Sequence, residues 1–393
     1  MYDVIVIGSG PAGIMASIKA AENKKTVLLL ERNDSIGKKL KLTGGTRCNL
    51  TNLKTTSDFI NQIPVNNKTL YSCLSQFGPQ DIYNYFESIG VKLKVEDHDR
   101  VFPQSNKAET IIEALYNELI KNEVDIHFNE SVEDININND IKEIKTNKDT
   151  YQAKNVIIAT GGKSYPHTGS TGDGYKLSNM LKQPLTKLYP AETFLISSKE
   201  YPLAGITLDN VEVSINKRTV DGSLLFTHVG VSGPAIFKIS EEVYKNLEAN
   251  NQASIKIDLL PQYTVDKMMS LLNNYNQKKN ISSFLKEYLP KRLAEYLITD
   301  GERMIVTISK ADKMKLIQLV KGFEIDIKKT GTIEQSFVTG GGVDIKYINP
   351  KTMESTINKG IYFVGEVLDI HGHTGGYNIT IALSTGYAAG VSI

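Results

Sequence analysis

Residues 3–13 read DVIVIGSGPAG, and the fold turns on how that stretch is understood. Val4–Ile7 is a short β-branched run of the kind found in strands covered on both faces. Glycines at 8, 10 and 13 then fit the spacing G-x-G-x-x-G. Three glycines alone are weak evidence. Here they stand between that strand and PAGIMASIKAAEN (residues 11–23), which reads as a helix with Pro11 in its first turn. In such a unit Gly8 makes the tight turn, Gly10 lets the backbone approach a pyrophosphate, and Gly13 lets helix and strand close together. The phosphate charge meets the free N–H groups of the helix N-terminus. A second strand, TVLLLE, ends on Glu31, 23 residues beyond Gly8. A carboxylate there accepts hydrogen bonds from a ribose diol and repels a 2′-phosphate, which favours an ADP moiety. The expected class is α/β, Rossmann-like.

A simple NAD domain would continue into another crossover. Instead the chain runs RNDSIGKKLKLTGGTRCNLTN from Arg32 to Asn52. Gly37, Gly44 and Gly45 give sharp turns, and Lys38, Lys39 and Arg47 bring positive charge towards bound phosphate. A loop of this kind can follow a pyrophosphate to a reactive ring, which points to FAD. Some 310 residues later comes GIYFVGEVLDIHGHTGGYNITIALSTGYAAG, residues 360–390. It reads as a buried strand, a turn at Gly365–Glu366, and a loop entering a small-residue helix. The helix N-terminus would set backbone donors near the flavin N1–C2=O edge, where charge gathers on reduction. The expectation is a two-part FAD domain whose halves meet in space.

The ordered set GSGPAG, GKKLKLTGGTRCNLTN, VFPQSNKA, ATGGKSYPHTGSTGDG, LFTHVGVSGPA and GEVLDIHGHTGGYN resembles the BaiN/RdsA-type family of FAD-dependent oxidoreductases, which includes aminoacetone oxidase-like flavoproteins. The likeness runs from residue 1 to about 390. Thr46 departs from it, since glycine or serine is more usual there. The resemblance implies cofactor contacts at Gly8, Gly10, Pro11, Ala12 and Gly13, and at Glu31, Arg32 and Lys38. It extends them to Gly44, Thr46, Arg47, Cys48 and Asn49, to Val132 near the adenine, and to Thr160, Gly161 and Gly162. The return segment adds Gly365, Glu366, Asp369, Gly375, Gly376, Tyr377, Asn378 and Ile379. FAD is the implied cofactor, with NAD(P)H as a transient electron donor if the enzyme is a reductase.

Composition narrows the classes further. A chain of 393 residues with 40% apolar and 23% charged residues suits two or three globular domains. Lysine plus arginine (45) nearly balances aspartate plus glutamate (44), and no basic run marks a nucleic-acid footprint. Apolar runs are too short for a membrane span. Two cysteines, Cys48 and Cys73, give no disulfide framework, and the first residues read as a strand and not as a targeting peptide, so the cytoplasm is expected. The expected partner is a small-molecule substrate.

The middle of the chain carries the insertion. FAD-binding segments are expected at 1–186 and 336–393, with 187–335 inserted between them, β-rich to about 262 and helical over about 263–325. GGKS at 161–164 imitates a P-loop ending, but that motif needs glycine where Ile157 stands. Asp369, His371 and His373 invite a metal reading, yet no fourth ligand is evident and no metal is expected. Tyr165, His228 and His373 are the candidate proton carriers. VTGGGVDI (338–345) lacks the spacing of a second dinucleotide fingerprint, so no dedicated nicotinamide domain is expected. Hydride transfer through flavin N5 then leaves two enzyme readings, a small-amine or aminoketone oxidase using O2 and an NAD(P)H-dependent reductase of an unsaturated carbonyl compound. A non-enzymatic reading is a flavin-containing binding or RNA-associated protein.

Overall fold

The computed structural model describes residues 1–298 and 302–393. Residues 299–301, inside the expected helical module, lie outside that description. The chain divides into two compact units, one formed by Met1–Tyr189 with Ile333–Ile393, the other by Pro190–Thr332.

In the first unit a seven-stranded sheet runs Asp125–His127, Val27–Leu30, Tyr2–Ile7, Thr150–Ile158, Ile141–Thr146, Val132–Asn138, with Ile361–Phe363 also on Thr150–Ile158. Its centre is parallel: Val4–Ile7 lies against Val27–Leu30 on one side and Asn155–Ile158 on the other, and Ile361–Phe363 joins Val156–Ile158. Val4, Ile5, Val6, Leu28, Leu29 and Val156–Ile158 have no accessible surface. This is the doubly covered core that the β-branched run predicts. Towards one edge, residues 132–158 form an antiparallel meander, and its outer strand is mostly exposed.

The helix Pro11–Glu22 starts from an extended Gly10, and Pro11 occupies the first turn, where its missing N–H leaves nothing unpaired. It ends as Lys24 turns to a φ of 60° and Lys25 N–H donates to Ala20 O at 3.2 Å. The C-terminal helix, Tyr377–Ser392, is buried almost all round. The two helices touch through small residues spaced by four. A Cβ on Gly386 would stand 2.2 Å from Ala12 O, and one on Gly390 2.6 Å from Ala16 O. Rows at i and i+4 are the ridges along which helices pack, and here both ridges are cut down to backbone.

The second unit is a closed six-stranded barrel, ordered Leu195–Ser197, Gly230–Ser232, Arg218–Phe226, Thr207–Ile215, Ala253–Asp258, Phe323–Thr330. Ala253–Asp258 and Phe323–Thr330 alternate buried and exposed residues, so Ile255, Ile257, Ile325 and Ile327 fill the interior. Closure leaves no free strand edge. The helix Pro234–Asn250, which begins after Gly233, covers the barrel with Ala235, Ile236, Ile239 and Val243, all fully buried. The sixth strand, Phe323–Thr330, follows the small helices, so the stretch expected to be helical over about 263–325 lies between the barrel's Ala253–Asp258 and Phe323–Thr330 strands in chain order and its last residues belong to the barrel.

The helix contact yields a direct prediction. Gly386→Val forces a side chain into Ala12 backbone and should cost about 1–3 kcal/mol or more, read as a lower urea midpoint. An unchanged midpoint would contradict the close approach.

Candidate functional site

Two of the three fingerprint glycines are closed in by protein. Gly8 has a φ of 101°, a conformation that glycine alone adopts freely, and a Cβ there would stand 2.7 Å from Ala159 O. A Cβ on Gly13 would stand 1.9 Å from Gly8 O. Gly10 differs: its backbone is extended, and a Cβ there meets nothing within 4 Å. Its lack of a side chain is unused by the fold. This open approach to a helix N-terminus, at the second glycine, fits the phosphates of a dinucleotide.

Glu31 is 6% exposed and already receives four hydrogen bonds, from Ser9 N (2.9 Å), Ser9 Oγ (2.5 Å), Asn33 N (2.7 Å) and Asn33 Nδ2 (2.7 Å). A carboxylate offers about four acceptor positions, so a ribose diol has to replace the Ser9 hydroxyl or the Asn33 amide. Glu130 N–H donates to Glu31 O at 2.9 Å, which brings Val132, two residues on, to the same edge. Arg32 is turned away into an ion pair with Asp173 at 2.5 Å and a bond to Thr171.

The loop 42–52 is a built turn. Gly44, Gly45, Thr46 and Cys48 all have positive φ, between 57° and 68°. For Thr46 this is a strained conformation. Its hydroxyl donates to Gly45 O at 2.6 Å, and its carbonyl accepts from Ala108 N–H at 2.9 Å. Arg47 meets both oxygens of Glu96 at 2.9 and 3.1 Å and stacks over Phe102, 4.0 Å from the ring centre. Its charge is neutralised by a partner 49 residues away, which sequence spacing could not reveal. Cys48 is fully buried, and burial pushes its thiol up to about 12, so it is an inert packing residue. Asn49 carries the loop to the return segment: in the amide orientation that satisfies both atoms it donates to Thr51 O and accepts from Gly376 N, each at 3.2 Å. Thr51 Oγ1 to Thr380 Oγ1, 2.8 Å, and Asn52 Nδ2 to Gly375 O, 3.3 Å, tie the same segments.

Lys38 and Lys39 part company. Lys38 pairs with Asp34 at 2.8 Å near solvent. Lys39 reaches inward to Glu366 Oε2 and Ser164 Oγ, both at 2.7 Å. Consecutive residues on a helix point about 100° apart, so only one of the pair in the short helix Lys38–Leu42 can face the site. The inward residue is Lys39. Glu366 is held further by Ser164 Oγ at 3.2 Å and Thr339 N–H at 3.1 Å. Thr339 Oγ1 in turn accepts from Lys163 N and Ser164 N, and a Cβ on Gly162 would strike it at 2.5 Å. Gly161 turns with a φ of 73°, and the buried hydroxyl of Thr160 has no hydrogen-bond partner.

The C-terminal helix starts from Gly376, whose φ is 95°, and a Cβ there would stand 2.6 Å from Thr51 O. Tyr377 is buried against Phe59, ring centres 4.9 Å apart, and Ile379 is buried. Asn378 closes the preceding loop on both sides, accepting from Gly372 N and donating to Gly372 O at 2.8 Å each. Its amide is a strut. Gly365 meets the first helix, with a hypothetical Cβ 2.9 Å from Ala12 Cβ. Asp369 is buried, its carboxyl raised by that burial, with Thr186, His371 and Asn66 around it. His371 packs edge-on to Tyr189. Among the described residues no group of three or more histidines, cysteines, aspartates or glutamates could hold a metal ion. No described helix is long and apolar enough to cross a membrane.

Of the proton-carrier candidates, Tyr165 and His373 belong to the first unit and His228 to the second, where it is exposed. Tyr165 is half-buried between His167 and Phe337, and burial raises its hydroxyl above the usual tyrosine value.

The model of the HI0933-like protein Rossmann domain matches residues 2–392. The chain belongs to the HI0933-like family. Within reach of this family, it is 33% identical to the ribosomal RNA dihydrouridine synthase of Haemophilus influenzae over 99% of this chain and 98% of that one. It is 31% identical to the 3-dehydro-bile acid delta(4,6)-reductase of Clostridium scindens, with the same coverage. In fold it is similar to the 3-ketosteroid delta1-dehydrogenase of Sterolibacterium denitrificans, with a TM-score of 0.54 at 12% identity, covering 99% of this chain and 98% of that one. The HI0933-like fold accounts for a Rossmann unit interrupted by a barrel.

The lysine pair separates structural from incidental charge. Lys39→Met leaves Glu366 short of a charged donor and should cost about 1–3 kcal/mol, while Lys38→Met should change stability by less than about 0.5 kcal/mol. Urea unfolding of both variants checks this, and equal losses would contradict it.

Proposed function

We propose that this chain is an FAD-dependent oxidoreductase that reduces a carbon–carbon double bond conjugated to a carbonyl, with a nicotinamide nucleotide as the hydride source. The observation that carries the cofactor assignment is the open backbone at Gly10, set in a turn that packs through Ala12 against Gly365 of the return segment. Gly10, Ala12 and Gly13 would face the pyrophosphate, Glu31 the ribose, and the first amides of the Tyr377–Ser392 helix the ring's N1–C2=O edge. Bound flavin supplies two-electron chemistry at N5. Lys39 and Glu366 fix each other beside the return turn and hold its geometry. Tyr165, like any phenol, holds its proton at neutral pH, and it is the proposed donor of that proton to the substrate carbon next to the carbonyl. Hydride at one carbon and this proton at the other saturate the bond.

The two curated relatives support reduction over amine oxidation. One is named for making dihydrouridine, a uridine whose ring double bond, conjugated to a carbonyl, is saturated, and the other for a delta(4,6) reduction. They differ in substrate, a base in RNA against a bile acid, and share the bond type. The cytoplasm and a free small molecule remain part of the proposal only as the setting that the composition favours.

Purified protein should show a flavin spectrum and release FAD on denaturation, and Gly10→Val should lose FAD at an unchanged urea midpoint. Anaerobic NADH or NADPH should bleach the flavin, and either a uridine-containing ribosomal RNA fragment or a 3-oxo-4,6-diene steroid should restore its colour. Bleaching by aminoacetone with peroxide formed in air, and none by NAD(P)H, would make it an oxidase. A folded protein that never takes up FAD would overturn the whole reading.

A further inference from the structure

We infer that Ser9 sets how tightly the cofactor site holds its ligand, by competing with the adenosine ribose for Glu31. The inference rests on the FAD reading above and concerns a position that the G-x-G-x-x-G pattern leaves free. Glu31 is buried, and its two oxygens divide their donors evenly. Oε1 accepts from the N–H and the side-chain amide of Asn33, and Oε2 accepts from the N–H and the hydroxyl of Ser9. A carboxylate offers about four acceptor positions, so the protein itself fills them. A ribose diol brings two further hydroxyl donors to the same group and has to displace at least one of the four.

These donors are not equally free to leave. The Ser9 N–H is fixed in the turn between Gly8, whose φ is 101°, and the helix that starts at Pro11. Asn33 is pinned through its carbonyl, which accepts from Asn129 N–H at 2.8 Å. Its amide also donates to Thr168 O at 3.1 Å, and a Cβ on Gly169 would stand 2.5 Å from its Nδ2. The Ser9 hydroxyl, by contrast, has Glu31 as its one hydrogen-bond partner among the described residues. A single turn about χ1 takes it off Oε2. The diol therefore enters on the Oε2 side, against Ser9. The same hydroxyl serves the flavin-free chain, because a buried carboxylate that loses a donor loses stability. Removing it should push stability and cofactor affinity in opposite directions. A residue that only shaped the turn would lower both together.

For the test, full-length holoprotein is diluted in series, and free FAD at equilibrium is read from its fluorescence. Ser9→Ala should tighten the Kd for FAD about tenfold and lower the urea midpoint of the flavin-free protein. When ADP displaces FAD, its Ki should fall by the same factor. That of 2′,3′-dideoxy-ADP, which has no diol to offer, should not move. Ser9→Gly also lacks the hydroxyl and keeps the N–H, so it should follow Ser9→Ala. Both variants keep three donors on Glu31, and loss of folding in both would overturn the inference. So would an FAD affinity that is unchanged or weaker, or an equal gain for ADP and its dideoxy analogue. A folded wild-type protein that takes up no FAD would bring down the reading above and this inference with it.

Discussion

The fold depends on how closely two helices can approach. The first helix and the last are separated by more than 350 residues of chain, yet Gly386 and Gly390 let the C-terminal helix lie on the backbone of Ala12 and Ala16. No larger side chain fits at either glycine. Because the contact is backbone against backbone, it fixes the depth at which the C-terminal helix sits, and so the height of its N-terminus relative to the Gly8–Gly13 turn. The wide coverage of the sheet follows from the same arrangement, since the first helix is enclosed by the sheet and the last helix together.

Around this contact the loops are arranged by pairing and not by charge. Asn49, Thr51 and Asn52 fasten the early glycine loop to Gly375, Gly376 and Thr380. Lys39, Ser164 and Thr339 hold Glu366 from three sides. Positive charge that the sequence offers freely is largely spoken for: Arg32 by Asp173, Arg47 by Glu96, Lys38 by Asp34. The proposed cofactor site therefore leans on backbone N–H groups at two helix starts, whose preorganised dipoles need no rearrangement.

Much of this was legible in the chain. A strand, three spaced glycines, a helix and a distant acid have to occur in that order for the turn to close, so the Rossmann unit could be read from residues 3–31. The alternation in SIKID likewise announces a strand with one buried face, whereas FEIDI, which alternates in the same way, overlaps the end of the stretch expected to be helical and is the barrel's last strand. The rest depended on contacts the sequence does not encode locally. Which of two adjacent lysines turns inward is set by the phase of a five-residue helix. The fate of Arg47 is set by a glutamate brought near through a separate three-stranded sheet. Glu31 is the acid the fingerprint calls for, but its lone pairs are filled by Ser9, one of the motif's variable positions, and by Asn33. The barrel's closure joins Leu195–Ser197 to Phe323–Thr330, strands more than 120 residues apart, and no periodicity announces such a pairing.

The most direct test is a crystal structure of the FAD-saturated protein. The account predicts one dinucleotide with its pyrophosphate against Gly10 and its ring edge against the amides that open the Tyr377–Ser392 helix. A cofactor bound elsewhere, or one that touches the first turn while the C-terminal helix start contributes nothing, would contradict it.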